Sequence, residues 1–238
     1  MTLIEFKKNL TVVILCGGKG LRLRPLTNQL PKPLIKINDK SILENIISYF
    51  LSYNIKNIII ATGYKNNLIN KFVKKKFKKN KIKLIYTGYN SDIIKRLEKT
   101  SEYSKNYLLA CYGDTMVDID LDKYIKFYLK KVNKITLASY QLKSNFGILE
   151  IDNNETIKKF NEKPTLDIWF NVGYIIFSND KFKYFRKFSL FKNLLVFLSR
   201  KKIMRTYKHK GNHITVNTIE ELEQAKRKIK KFNVTKKK

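Results

Sequence analysis

Residues 11–15 form a short, largely apolar run rich in valine and isoleucine that stops at Cys16-Gly17-Gly18, the pattern of a buried strand feeding a loop. Residues 42–51 then place Ile42, Leu43, Ile46, Ile47 and Phe50 at helical spacing, with Ser41 as N-cap and Glu44 in the first turn. The alternation continues with a strand at 58–61, a basic helix at 68–77, and strands at 82–86 and 108–111. A helix at 121–129 precedes three closely spaced strand-like runs at 135–141, 147–151 and 172–177, separated by turn residues such as Asn153 and Asn154. The apolar stretch 188–198 and the segment 219–229, with Leu222, Ala225 and Ile229 on one face, complete the helices. Strand–helix alternation predicts a parallel sheet covered by helices, and the late cluster of strands predicts antiparallel additions. The expected fold is therefore α/β with a mixed, mainly parallel sheet. It forms one domain over residues 1–232, and residues 233–238 are a basic, frayed tail.

Composition changes this picture little. Hydrophobic residues make up 43% of the 238 positions, enough for a full core. Lys and Arg total 50 against 19 Asp and Glu, a formal charge of +31, but the lysines are spread along the whole chain among Asn and Ile. They read as compositional bias, and no dedicated nucleic-acid partner is expected. Residues 1–10 carry Glu5, Lys7 and Lys8 and lack a continuous apolar stretch, so no secretory or transit leader is expected. The run 188–198 is interrupted by Lys192 and is too short to be a transmembrane segment. Cys16 and Cys111 lack metal-type spacing and read as small buried hydrophobes, consistent with a reducing, cytoplasmic setting.

The chemistry concentrates where the first strand ends. Leu15-Cys16-Gly17-Gly18-Lys19-Gly20-Leu21-Arg22-Leu23 is a loop whose glycines let backbone N–H groups approach an anion, and Lys19, Arg22, Arg24 and Lys32 add positive charge. It is not a Walker loop, since Lys19 is followed by Gly20 rather than Ser or Thr. Nor is it a dinucleotide fingerprint, since Leu23 stands where the third glycine belongs. At the end of the fourth strand, Tyr112-Gly113-Asp114 puts a carboxylate at the carboxyl edge of the sheet, where open α/β folds bind ligands. Such a carboxylate suits Mg²⁺.

The run from Gly17 to Leu23, continuing through Pro25-Leu26-Thr27 to Pro31-Lys32-Pro33-Leu34, resembles the signature of sugar-1-phosphate nucleotidyltransferases. The resemblance implies a single Rossmann-like nucleotidyltransferase domain. It further implies that Leu15, Gly17, Gly18, Lys19, Gly20 and Gly113 embrace a nucleoside triphosphate, that Arg22 holds the triphosphate, and that Lys32 contacts phosphate near the reacting phosphorus. Downstream, Phe146-Gly147, Phe160-Asn161-Glu162-Lys163-Pro164 and Asn171-Val172-Gly173 follow in the family's order. By that resemblance Glu162 and Asn171 hydrogen-bond sugar hydroxyls, Gly147 and Gly173 belong to the sugar site with Gly173 leaving room for the ring, and Lys163 pairs with the sugar phosphate. Arg22, Lys32, Asp114 and Lys163 are then the catalytic set. The segment Thr87-Gly88, Ser91 and Lys95-Arg96-Leu97 is most similar to glucose-1-phosphate cytidylyltransferases, although Ile94 and Lys95 occupy places where those have glycines. CTP and glucose 1-phosphate are the substrates this implies, with guanylyl or thymidylyl transfer to another sugar phosphate as the alternative.

Two departures stand out. Leu21 replaces the family's usual threonine, and Asn217, within His213-Ile214-Thr215-Val216-Asn217, replaces its second metal-binding aspartate. Asp114 and Asn217 are the expected metal positions, and both departures also fit a diverged, non-catalytic subunit that binds nucleotide or sugar phosphate. A homo-oligomer is expected from the family, and a role in polysaccharide biosynthesis is the usual destiny of its products.

Overall fold

The computed structural model describes residues 1–232; the expected basic tail, 233–238, lies outside the described residues. The chain opens with α1 (Leu3–Asn9), started by a capping box in which the Thr2 hydroxyl accepts from the Glu5 amide and the Glu5 carboxylate accepts from the Thr2 amide. β1 (Leu10–Cys16) follows at once and is buried along almost its whole length, as a central parallel strand must be. A long loop holds α2 (Leu26–Gln29) and a small hairpin of β2 (Lys36–Ile37) and β3 (Lys40–Ser41). The Ser41 hydroxyl then caps α3 (Ile42–Ser52) by accepting from the Glu44 amide at 3.1 Å. Strand and helix alternate through β4 (Ile58–Thr62), α4 (Asn66–Lys76), β5 (Ile82–Tyr86), α5 (Ile93–Ser101) and β6 (Tyr107–Tyr112).

The second half adds β7 (Thr115–Val117), α6 (Leu121–Leu129) and β8 (Ile135–Lys143). A hairpin of β9 (Ile148–Ile151) and β10 (Ile157–Asn161) then stands apart from the main sheet. The long β11 (Thr165–Ser178) returns to it, followed by α7 (Phe182–Phe185), α8 (Phe191–Arg200), β12 (Met204–His209), β13 (His213–Thr215) and α9 (Ile219–Lys228). Among the described residues, no helix is long and apolar enough to cross a membrane.

The seven-stranded sheet has the order β12-β8-β11-β6-β1-β4-β5. β1 lies parallel to both β4 and β6, β4 to β5, and β12 to β8, while β11 runs antiparallel to both of its neighbours. The expected mixed, mainly parallel sheet is thus present, with one adjustment. β8, grouped by sequence with the antiparallel additions, points the same way as β6, because the reversed β11 separates them. Side chains of β1 alternate between two cores, with Val12 and Ile14 facing one that includes Phe50, Tyr124 and Tyr174, and Val13 facing another that includes Phe177, Phe185 and Leu198. Cys16 and Cys111 are both free and buried, as their apolar flanks implied.

From β1 the chain winds outward to β4 and β5, then crosses to the other side of β1 for β6. The strand order therefore reverses between β1 and β6, and the crevice outside their carboxyl ends is where such sheets bind ligands. The Gly113 amide donates to the Leu15 carbonyl at 3.0 Å there, seating the glycine loop against the acidic turn.

Candidate active site

At that switch point lies a cleft of about 610 Å³, lined by Leu15, Gly17, Gly18, Gly20, Arg22, Lys32, Gly113, Asp114 and Asn217, with Tyr112 and Arg96 beside them. The glycine loop leaves β1 and turns at Gly20, whose φ of 63° is left-handed. A Cβ there would lie 3.0 Å from Thr27 Cγ2 and 3.1 Å from Lys32 Cβ. The Thr27 hydroxyl closes the turn by donating to the Gly20 carbonyl at 3.0 Å, and the Tyr64 hydroxyl donates to the Thr27 carbonyl at 2.9 Å. Leu21, in place of a hydroxyl residue, is exposed at the rim.

Four predicted residues meet in one cluster. Lys32 Nζ lies 2.5 Å from Asp114 Oδ2 and donates to Asn217 Oδ1 at 2.9 Å; Arg22 donates to the same Asn217 oxygen at 3.0 Å. Lys32 is only 8% exposed, so its ammonium is held in place rather than free in solvent. The antiparallel pairing of β13 with β7, with Thr215 opposite Thr115, carries Asn217 across to Asp114 despite their separation in sequence. Asn217 is oriented from behind, its amide nitrogen donating to the Thr215 hydroxyl at 3.2 Å and its backbone N–H to Glu221 Oε2 at 2.6 Å. The Thr115 hydroxyl donates to Asp114 Oδ1 at 3.2 Å.

The cluster is short of negative charge. Asp114 is its one carboxylate, and the second hard oxygen is the neutral carbonyl of Asn217, which already accepts from two cations. Among the described residues no group of three or more His, Cys, Asp or Glu could hold a metal ion. A carboxylate and a carbonyl oxygen nonetheless fit Mg²⁺, which takes most of its six ligands from phosphate and water when it serves a phosphate substrate. Burial, reinforced by the Asp114 charge, pushes the Tyr112 phenol pKa up, so the ring is a neutral wall. Burial likewise raises the Cys16 thiol, which excludes it as a nucleophile.

The remaining predicted residues lie elsewhere. Lys19 Nζ sits 4.5 Å over the Tyr89 ring, on the β5–α5 side of the loop. Gly147 and Glu162 adjoin each other on the β9–β10 hairpin, where a Cβ on Gly147 would come within 3.1 Å of Glu162 Oε2. Lys163 pairs with Glu162 at 3.5 Å, and both side chains are more than half exposed. Asn171 Oδ1 accepts from the Gly173 amide at 2.8 Å. At Gly173, whose φ is 78°, the space a Cβ would take holds the Tyr112 ring, 2.2 Å away. The room at Gly173 is therefore used by a protein aromatic, which in turn walls the cleft. Arg96 was visible in the sequence only as part of Lys95-Arg96-Leu97, yet it is buried at the base of the glycine loop. Ser91 and Asp92 extend the cleft on that side, and Asp92 Oδ1 caps α5 by accepting from the Ile94 amide at 3.0 Å.

Behind Asn217 the turn between β12 and β13 is pinned by Asp118. Its carboxylate lies 3.1 Å from His209 Nε2 and accepts from the Asn212 backbone and side-chain amides at 2.6 and 2.7 Å. Burial raises the Asp118 pKa, but these hydrogen bonds outweigh it and hold the carboxyl below its ordinary value. His213 stacks on Tyr140 with ring centroids 5.4 Å apart, and burial, helped by His209 and Lys228, lowers its pKa to about 4.

The nucleotidyl transferase family model matches residues 11–229. The D-glycero-alpha-D-manno-heptose 1-phosphate guanylyltransferase of Campylobacter jejuni is 35% identical over 155 residues, covering 63% of this chain and 67% of that protein. The glucose-1-phosphate cytidylyltransferase of Salmonella typhi is 30% identical over 189 residues, covering 69% and 73%. Among solved structures, HddC from Yersinia pseudotuberculosis shares the fold, with a TM-score of 0.70 over 92% of this chain and 99% of that one at 23% identity.

Proposed function

The chain belongs to the nucleotidyl transferase family, and on that premise we propose that it transfers a nucleotidyl group from a nucleoside triphosphate to a sugar 1-phosphate. A phosphate oxygen of the sugar attacks the α-phosphorus, the bond from that phosphorus to the bridging oxygen breaks, and pyrophosphate leaves. Positioning and charge neutralisation are then the main demands on the protein. The observation that carries this reading is the cluster beside the glycine loop, at the crevice between β1 and β6, in which Lys32 bonds both Asp114 and Asn217 and Arg22 bonds Asn217. Arg22 and Lys32 offset the charge of the triphosphate as pyrophosphate departs. Asp114 and Asn217 are the residues that would hold Mg²⁺, which when bound supplies further neutralisation of the phosphate oxygens.

CTP and glucose 1-phosphate are the proposed pair, supported by the Lys95-Arg96-Leu97 segment and the relationship to the Salmonella typhi cytidylyltransferase. The relationship to a heptose 1-phosphate guanylyltransferase keeps GTP with another sugar phosphate as the alternative. On the sugar side, Glu162 and Asn171 are proposed to bind hydroxyls and Lys163 the sugar phosphate, with Gly147 and Gly173 shaping the approach. The exposure of Glu162 and Lys163 leaves both side chains accessible to a sugar phosphate. Cytoplasmic work as a homo-oligomer, feeding polysaccharide biosynthesis, belongs to the same proposal.

A non-catalytic binding subunit is the second reading, favoured by Asn217, whose oxygen is taken up by Lys32 and Arg22. Asp114→Ala separates the two when pyrophosphate release is compared between variant and parent at matched thermal stability. Loss of turnover with the fold intact supports transfer chemistry at this cluster, and unchanged turnover removes Asp114 from the mechanism.

A further inference from the structure

Arg96, on the first turn of α5, is 5% exposed, and none of its hydrogen-bond partners is a carboxylate. Nη1 donates to the Thr87 hydroxyl at 2.6 Å, the Gly88 carbonyl at 3.0 Å and the Thr62 carbonyl at 3.3 Å, while Nη2 donates to the Gly17 carbonyl at 3.1 Å. One side chain thus ties the start of the glycine loop to the carboxyl ends of both β4 and β5. The socket is walled by glycine backbone: a Cβ would fall 1.9 Å from Arg96 Nη1 if built on Gly17, and 2.8 Å from it if built on Gly63. Neutral oxygens take all its hydrogen bonds, and Asp92, at the N-cap of the same helix, offsets part of its charge through space; burial still lowers the Arg96 pKa, so a further anion nearby is favourable.

The direction of the Gly17 carbonyl has a further effect. In a planar trans peptide the C=O and the following N–H point opposite ways. With the Gly17 oxygen drawn down to Arg96, and also accepting from the Tyr64 amide at 3.2 Å, the Gly18 N–H is turned away from the sheet. Gly18 lines the cleft, and nothing lies within 4 Å of where its Cβ would be, so that space is open to a ligand. Such a preset backbone donor beside a fixed positive charge is an anion cradle that needs no rearrangement on binding.

We propose that Arg96 is the positioning residue of the nucleotide loop. It presets the Gly17–Gly18 peptide and supplies buried, only partly compensated positive charge beneath it, so that affinity for the triphosphate, rather than for the sugar phosphate, depends on Arg96. This rests on the reading that a nucleoside triphosphate occupies the cleft.

The test is calorimetric titration of the full chain with CTP, GTP, dTTP and UTP, alongside separate KM values for nucleotide and sugar phosphate. Arg96→Lys removes the fork that spans Gly17 on one side and Thr87 and Gly88 on the other. It should weaken nucleotide binding about tenfold or more, the scale of a lost charge-assisted hydrogen bond. The KM for sugar phosphate and kcat at saturating nucleotide should stay within about threefold, a split that general destabilisation would not give. Gly17→Ala, whose methyl displaces the guanidinium, should weaken nucleotide binding to a similar degree, and the Gly17→Ala/Arg96→Lys double variant should bind no worse than the weaker-binding of the two single variants. Arg96→Lys binding like the parent, or losses that multiply in the double variant, would overturn this inference alone. A parent protein that binds none of the four nucleotides would overturn the functional reading and this inference with it.

Discussion

Asn217→Asp restores a carboxylate beside Asp114, and the structure fixes what the new charge would meet. Asn217 Oδ1 accepts from Lys32 Nζ at 2.9 Å and from Arg22 at 3.0 Å, so both contacts become charge-assisted. Each should gain ~1 kcal/mol over its neutral counterpart. The Thr215 hydroxyl, which accepts from the Asn217 amide, can turn to donate to the second carboxylate oxygen. Against this, the new carboxylate and Asp114 share one ammonium and lie on the order of 5 Å apart, which at an effective dielectric constant of 20 costs ~3 kcal/mol. Gain and repulsion nearly cancel. In EDTA the variant should therefore unfold within ~1 kcal/mol of the parent, or about 2–4 °C for a chain of this size. Adding Mg²⁺ supplies a divalent partner for the two carboxylates. The variant should then gain clearly more thermal stability than the parent, in a saturable titration followed by scanning fluorimetry. Equal Mg²⁺ shifts in both proteins, or a variant several kcal/mol less stable in EDTA, would refute this account of the cluster.

Two other expectations follow from the geometry. His213 takes up its proton near pH 6.5 when unfolded but only near 4 when folded, so stability is complete above that range and is lost as pH falls from about 6.5 to 4, by up to ~3 kcal/mol. Urea unfolding across this window should show His213→Phe, which keeps a ring against Tyr140, losing less stability on acidification than the parent; parallel curves would remove His213 as the source. Lys163→Ala should leave stability within ~0.5 kcal/mol, because Lys163 and Glu162 form an exposed pair, while raising the KM for sugar phosphate several-fold. An unchanged KM would take Lys163 out of the sugar-phosphate site.

The glycine loop and Asp114 were legible in the sequence because their chemistry sits at the ends of short apolar strands, where identity and position are both local; Lys32, in the long loop after β1, was matched through Pro31-Lys32-Pro33-Leu34. The capping pair Thr2 and Glu5 was equally local, but it opens a seven-residue helix with Phe6 as its one buried residue, too short to show a period. β12, with the sequence MRTYKH, was not predicted because a half-buried strand next to the basic surface lacks apolar alternation. The same holds for α5, whose buried positions Ile94, Arg96, Leu97 and Thr100 include a charged residue. Asn217 could be matched by its motif, but its contact with Lys32 depends on the pairing of β13 with β7, a long-range register that no local pattern encodes. The directions of Lys19 toward Tyr89 and of Lys163 toward Glu162 belong to long, flexible side chains, which neighbouring elements decide.

Transfer of a nucleotidyl group to a sugar 1-phosphate is the function proposed for this cleft. The most direct measurement is pyrophosphate release by the purified chain with Mg²⁺, with CTP, GTP, dTTP and UTP each offered against glucose 1-phosphate and a panel of other sugar phosphates. Release should require both substrates and be fastest with CTP and glucose 1-phosphate. Nucleotide binding without pyrophosphate release in any combination would contradict this function and leave a binding subunit in place of an enzyme.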